Sequence, residues 1–434
     1  MLKTRWAVAL LVPILLLVAA ACGGEDPTPT PKAKLAPTAT SAPAEAPAAP
    51  AAPAAPKVNA PSAAPTAPTP IPDTFPAEWD ALVAAAQEEG EVVVILGGSA
   101  SRIMRPVVEA FGKKFGIKAV AAAGRDSDHV TRILAERAAG QFLVDATHLG
   151  PTTTRSRAIP AGLIDVLADH LIQPDVLDKS NWFQGRHWYA DAGEKYLFTH
   201  SANISNAPVT AHYNTDLVSQ EEIDAITSIF DLLDPKWAGG KIVSLPINDA
   251  GAGGTWYSIY VHPDVGKEWT DKFIREMDPI YTPETRLAAD WLAQGKVHWA
   301  MAVGAAGRDL DKLAAQGVPV AKLMETEKEA ATLSGSGSSN NTAIFTKPAH
   351  PNAAKLYVNW FLSKEGQTTM QAIAQSQPDP SLRIDGIPQG LSGDEDKRDP
   401  NKDYYFLSAD PSYLQFEPEA MLHARGTYTE VTGG

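Results

Sequence analysis

The chain has 434 residues, 44% of them hydrophobic, and a formal charge of −14. That length allows two lobes of ordinary domain size, and the acidic balance argues against nonspecific nucleic-acid binding. One cysteine, Cys22, excludes an internal disulfide.

Lys3 and Arg5 precede an apolar run from Trp6 to Ala21, which is the layout of a secretory signal. The run is short for a membrane span, which needs roughly 20 residues. Ala19-Ala20-Ala21-Cys22 resembles a lipobox, in which small residues admit the peptidase and the thiol takes a diacylglyceryl group. A signal peptide over 1–21 with lipidation at Cys22 is therefore expected; a plain signal cut near Ala21, or an uncleaved anchor, is the alternative. The mature chain would be exported and lipid-anchored to the outer face of the cell membrane, with a charge of −16 once Lys3 and Arg5 are removed. Residues 22–76 are almost entirely Ala, Pro, Thr and Ser and have little apolar surface to bury, so they read as an extended tether. At about 3.1 Å per residue in polyproline II, ~50 residues reach at most about 150 Å. A Thr-rich glycosylated stalk is the second reading of this stretch.

From Ala77 onward, helical and strand patterns alternate, which argues α/β. Trp79, Leu82, Val83 and Ala86 lie at helical spacing before Gly90. Val92 to Leu96 reads as a buried strand and Gly97 to Ser101 as a turn. A helix with Ile103, Val107, Val108, Phe111 and Phe115 on one side then ends at Gly116. A second strand is expected over Ile117–Ala122, a helix capped by Asp128, and a third strand over Phe142–Asp145, running on to His148. Further strands are expected at Tyr196–Thr199, Val209–Tyr213, Lys241–Leu245 and Val297–Val303. Ser219 and Glu222 have capping-box spacing. Helices are expected from Thr282 to Gly295, Ala306 to Gln316 and Asn352 to Leu362. The Pro/Asp/Gly-rich tail after Gln377 shows little periodicity and is expected to wrap the surface.

Several segments line up in order: Glu78-Trp79-Asp80-Ala81-Leu82 with Glu88-Glu89-Gly90, Phe111 to Gly116, and Val144-Asp145. They continue with Asp234-Pro235-Lys236-Trp237, Ala289 to Gly295, Pro351-Asn352-Ala353-Ala354 and Ser363-Lys364-Glu365-Gly366-Gln367. Over roughly 77–375 this set resembles the bacterial extracellular solute-binding proteins of ABC importers, in the branch with ferric-iron, thiamine, phosphonate and sugar-phosphate binders. The resemblance implies the type II periplasmic-binding-protein fold: two α/β lobes joined by two crossing strands, with the ligand in the cleft. Lobe 1 would hold about 77–210 plus a return segment, and lobe 2 about 214–330. An ABC permease is the implied partner, and the chain is expected to act as a monomer without a cofactor.

Ligands in such sheets sit beyond the carboxyl ends of strands. That rule selects Gly97, Gly98, Ser99, Ala100, Ser101 and Arg102, where unpaired N–H groups at a helix start favour an anion. It also selects Thr152 among three threonines after the third strand, and Gly253, Gly254, Thr255 and Trp256 after the Lys241–Leu245 strand. Two opposed helix starts would suit a carboxylate or phosphate, with Trp256 or Tyr257 stacking on a ring. Core packing is the competing fate of both aromatics. Arg286 offers a two-pronged anion contact; Arg125, Arg308, Asn340 and Asn341 are weaker candidates. Each of these also has an ordinary capping or surface reading.

Ferric binders of this family carry adjacent tyrosines after the strand matching Val297–Val303. Here the stretch reads Val303-Gly304-Ala305-Ala306-Gly307, so iron is disfavoured, with Tyr189, Tyr213 or Tyr257 as its remaining donors, and Gly304 leaves room for a larger solute. No Gly-x-Ser-x-Gly, P-loop or His-Glu-x-x-His is present, and His187, His200 and His212 are too widely spaced for a local metal set. The expected function is capture of a small anionic organic solute for an ABC transporter. A ligand sensor for a membrane receptor and, last, a hydrolytic enzyme are the alternatives.

Overall fold

The computed structural model describes residues 74–98, 100–205, 207–248, 253–304, 306–335, 337–373, 380–387, 398 and 404–433, all within one unit of the chain, Ala54–Gly434. The expected signal peptide, Cys22 and the tether up to residue 73 lie outside the described residues, as do Ser99 and 250–252.

Helix α1 (Phe75–Glu89) buries Leu82 and Ala86 and feeds strand β1 (Glu91–Leu96), whose last three residues are buried. Helix α2 (Ser101–Phe115) turns Met104, Val107, Val108 and Phe111 to the core. Strand β2 (Lys118–Ala123), helix α3 (Asp126–Ala138) and strand β3 (Ala146–His148) follow. β1 pairs in parallel with both β2 and β3, so all three strands end on one edge of the sheet. β4 (Trp188–Tyr189) and β5 (Phe198–Thr199) extend this first lobe.

The chain then leaves through β6 (Asn203–Ser205). The second lobe is built from β7 (Ala211–Asn214), β8 (Ile242–Ser244), α4 (Gly253–Val261), α5 (Gly266–Glu276), β9 (Ile280–Tyr281), α6 (Thr285–Ala293), β10 (Trp299–Met301), α7 (Ala306–Ala315) and β11 (Val320–Lys322). Its strand order is β11-β7-β10-β8-β9, with β8, β9 and β10 parallel. β12 (Ala331–Ser334) returns antiparallel to β6, and β13 (Asn341–Ile344) enters the first sheet between β3 and β5. Thus β6 and β12 are the two crossing strands, and each lobe has its own apolar core.

The shared sequence motifs have physical roles. Glu89 closes the start of α8 (Pro351–Leu362): its Oε1 accepts from Asn352 N at 3.0 Å and Asn352 Nδ2 at 2.7 Å, and its Oε2 from Ala353 N at 2.8 Å. This satisfies N–H groups that a helix start leaves unpaired. Asp234 caps a short turn by accepting from Lys236 N, and Trp237 packs at 5.5 Å from Trp299 in the second core. The Ser219–Glu222 capping box forms as the spacing predicts. Helix α9 (Lys364–Ile373) follows α8 directly.

Three expectations are corrected. The third strand starts at Ala146 rather than Phe142, because Leu143 is 49% exposed and the Asp145 carboxylate, not a ladder, holds Val93 N, His350 N and His350 Nδ1. Helix α3 starts at Asp126 instead of being capped by Asp128, with Arg125 extended before it. The tail does not simply wrap the surface. Strand β14 (Tyr404–Tyr405) adds to β12 beside the crossing, and helix α10 (Glu417–Thr432) packs on α4 and α5, burying Ala420, Ala424, Thr427 and Tyr428. Tyr428 meets Tyr281 edge-on at 4.9 Å.

Buried in the first lobe, His148 is bracketed by Asn341 O at 2.9 Å and Tyr357 Oη at 2.8 Å. A neutral ring protonated on Nδ1 donates to the first and accepts from the second. Burial lowers its pKa to about 3. The folded value is therefore below the unfolded one, so this contribution to stability is present above about pH 6.5 and lost as pH falls toward 3. Urea unfolding at pH 4.5 should show a loss of about 2–3 kcal/mol from His148, relative to pH 7; His148→Phe should lack that component of the slope. Replacing Glu89 with Ala should cost about 1–3 kcal/mol of stability, read as a lower urea midpoint at unchanged m.

Candidate functional site

The carboxyl ends of β1, β2 and β3 carry the loops that the sequence marks. In the first loop, Gly97 N donates to His148 O, Ala100 N donates to Gly97 O, and Ser101 Oγ donates to Gly98 O. A Cβ on Gly97 would meet Asp126 Oδ1 at 2.0 Å, and one on Gly150 would meet Asp126 Oδ2 at 2.5 Å, so both glycines are required by the same carboxylate. Asp126 Oδ2 accepts from Gly150 N at 3.1 Å and from Ser338 Oγ at 3.5 Å. Burial raises the Asp126 pKa, against lowering by the Gly150 and Gly98 backbone and by Ser338.

The Gly98 backbone, Gly150 N and Ser338 Oγ meet the Asp126 carboxylate, which ties the loops after β1, β2 and β3 to the segment before β13, while Gly97 N and Ala100 N are spent on backbone carbonyls. Ala100 is fully buried, with its N–H used in the turn, so it has no ligand contact to offer. Arg102 is exposed at the start of α2.

After β3, the residues Pro151–Thr153 form a helical turn that widens into a π-turn over Thr154–Ala158. Thr152 Oγ1 donates to Glu417 Oε1 at 3.3 Å. Arg155 reaches the same carboxylate with two prongs, Nε to Oε2 at 2.6 Å and Nη2 to Oε1 at 2.7 Å, while its Nη1 donates to Ala190 O at 2.9 Å. Only 12% of the Arg155 side chain and 14% of the Glu417 side chain are exposed. Thr152 and Arg155 belong to lobe 1, whereas Glu417 opens a helix docked on lobe 2. Tyr257, in the second turn of α4, is near enough that Arg155 lowers and Glu417 raises its phenol pKa. Sequence reasoning missed both partners. Arg155 had a signal, since it is the first cation after β3; Glu417 had none.

In the second lobe, Gly253 opens α4, and Gly254 and Thr255 are half-buried. Of the two fates open to Trp256, the structure shows core packing: it is fully buried, 5.4 Å from Phe273 and 6.5 Å from Trp269. Tyr257 is also buried, donating to Leu407 O at 3.0 Å. Gly304 is exposed with φ +53°, just after Ala302 at φ +52°. Two left-handed residues, one of them not glycine, sharply bend the chain at the end of β10. Arg286 is exposed near the start of α6, with no ion pair among the described residues. Asn340 and Asn341 do follow a crossing strand, but their side chains hold Ser201, Thr199, Gly335 and Gly337. Tyr189, Tyr213 and Tyr257 lie in three different cores, so the structure does not bring them together, and burial pushes each phenol pKa up.

A further cavity of about 480 Å³ lies beside the crossing strands, lined by Phe183, Trp188, Glu327, Tyr404, Tyr405 and Tyr413 among others. Its wall includes the tail, which the sequence reading left without structure.

No family model and no curated protein matches the sequence. Solved structures do. Iron-bound HitA from Pseudomonas aeruginosa is 17% identical, covering 78% of this chain and 99% of its own, with a TM-score of 0.52. Trichodesmium IdiA (FutA), in complex with iron and citrate, is 17% identical at a TM-score of 0.55, covering 78% of this chain and 99% of its own. AfuA from Actinobacillus pleuropneumoniae, with fructose-6-phosphate bound, is 16% identical at 0.50, covering 79% and 99%. The chain has the two-lobed type II fold of periplasmic solute-binding proteins, the family that its motifs resemble.

Replacing Asp126 with Ala should leave Gly150 N and Ser338 Oγ without their acceptor and cost about 1–3 kcal/mol. Thermal unfolding in formate against chloride checks it: formate should restore part of the loss in the variant and leave the wild type unchanged.

Proposed function

We propose that this chain captures a small anionic organic solute between its lobes outside the cytoplasm and delivers it to an ABC permease. The observation that carries this is the Arg155 fork. It is fixed by Ala190 O at the carboxyl edge of lobe 1, next to Thr152 and close to Tyr257 of lobe 2. Arginine with a neighbouring hydroxyl matches a carboxylate or phosphate in two-pronged geometry. The likeness to binders of iron with citrate and of a sugar phosphate supports the same class of solute.

In this reading Thr152 and Arg155 hold the anion from lobe 1. Gly253, Gly254, Thr255, Gly304 and Arg286 face it from lobe 2, and Gly98, Ser101 and Arg102 line the approach. Closure follows as a population shift, because a solute that touches both lobes favours their closed arrangement. No covalent step is involved. Export and lipidation at Cys22 would place the domain at the membrane surface on its tether, within reach of the permease.

Two measurements test the reading. In a thermal-shift screen of anion, sugar and amine pools, an anionic solute at 100 times its Kd should add about 2.7 kcal/mol; stabilisation by sugars or amines alone contradicts the anionic class. Arg286→Ala should weaken solute binding in calorimetry while leaving the unfolding temperature in place; unchanged affinity removes Arg286 from the site.

A further inference from the structure

We propose that Glu417 is an internal competitor: the carboxylate at the head of the C-terminal helix occupies the Arg155–Thr152 anion position, and solute capture requires its displacement. This rests on the solute-capture reading and adds to it the regulation of that same site. The solute class that would compete is a carboxylate, because the fork now holds one in two-pronged geometry.

The placement separates this contact from an ordinary surface ion pair. Arg155 does not depend on Glu417 for its orientation, since Nη1 is held by Ala190 O within lobe 1. If Glu417 withdraws, Nε and Nη2 stay aligned toward the same point. Glu417 in turn has a second electrostatic partner besides Arg155. It is the first residue of α10, where the helix dipole favours a carboxylate. Both partners therefore tolerate separation better than a pair whose members orient each other.

Helix α10 is firmly part of lobe 2. Arg275 reaches Glu430 at 2.7 Å, His423 reaches Asp271 at 2.7 Å, and Tyr428 packs in the second core. Glu417 is thus delivered from lobe 2 onto a lobe 1 cation, the kind of bridge that a bound solute would make. An occupant on the same chain acts at a high effective concentration, of order millimolar or more. External carboxylates consequently bind with an affinity reduced by the fraction of molecules in which the fork is free.

The test uses the purified exported chain and measures binding of succinate, acetate and inorganic phosphate by calorimetry. Glu417→Gln removes the charge, and Glu417→Asp shortens the reach should the first variant not fold. The expected result is that either variant binds succinate at least about tenfold more tightly than wild type, and that adding Arg155→Met abolishes the gain. Unchanged succinate affinity in folded Glu417 variants overturns the proposal, as does a gain that persists without Arg155. If the wild type captures an uncharged solute while the Glu417 variants gain no anion affinity, this inference fails and solute capture stands. If neither wild type nor variants bind any solute from the anion, sugar and amine pools, the capture reading fails with it.

Discussion

The helix starts that follow the strands of a parallel sheet leave a row of unpaired backbone N–H donors at its carboxyl edge, and those donors need acceptors. In this chain much of that demand at the lobe 1 edge is met from within. Asp126 holds the loops after β1 and β3 and the segment before β13 on a single carboxylate. Gly97 and Gly150 are there because a Cβ at either position would collide with it. One half-buried carboxylate therefore helps set the shape of the edge and of the glycine-rich loop after β1.

The second internal carboxylate acts across the molecule. Glu417 comes from a helix docked on lobe 2 and meets Arg155 of lobe 1, in addition to the two crossing strands that join the lobes. The tail strengthens that crossing, as Tyr404 and Tyr405 pair with Ala331 and Thr332. The C-terminal segment is thus a third link between lobes, made of side chains and one short strand rather than of continuous chain passing between the sheets.

Much of the fold was legible in the sequence because its signals are local. The α1–β1 pair, the Ser219–Glu222 capping box and the buried face of α8 follow from spacing alone. The motif resemblance pointed to two lobes, and Glu89 shows why two of its segments go together: one caps the other. What stayed hidden depends on distance along the chain. Arg155 and Glu417 lie 262 positions apart. Trp256 stayed open between ring stacking and core packing, because α4 has apolar residues around much of its circumference and periodicity could not say which side faces the core. Helix α10 escaped because its buried side is Ala, Thr and Tyr rather than large aliphatic residues. At Asp126, sequence spacing favoured Asp128 as the cap, while a tertiary contact with Gly150 decided where the helix begins.

The most direct measurement of this account is the distance between the lobes in solution, with and without the Glu417 charge. Because Cys22 is the only native cysteine, spin labels placed at Ala138→Cys in lobe 1 and Glu276→Cys in lobe 2, in a Cys22→Ser background, report one interlobe distance. Pulsed electron resonance in the absence of solute should give a narrow distribution with Glu417 intact and a longer, broader one with Glu417→Gln. Identical distributions would contradict the claim that the chain's own carboxylate holds the lobes together.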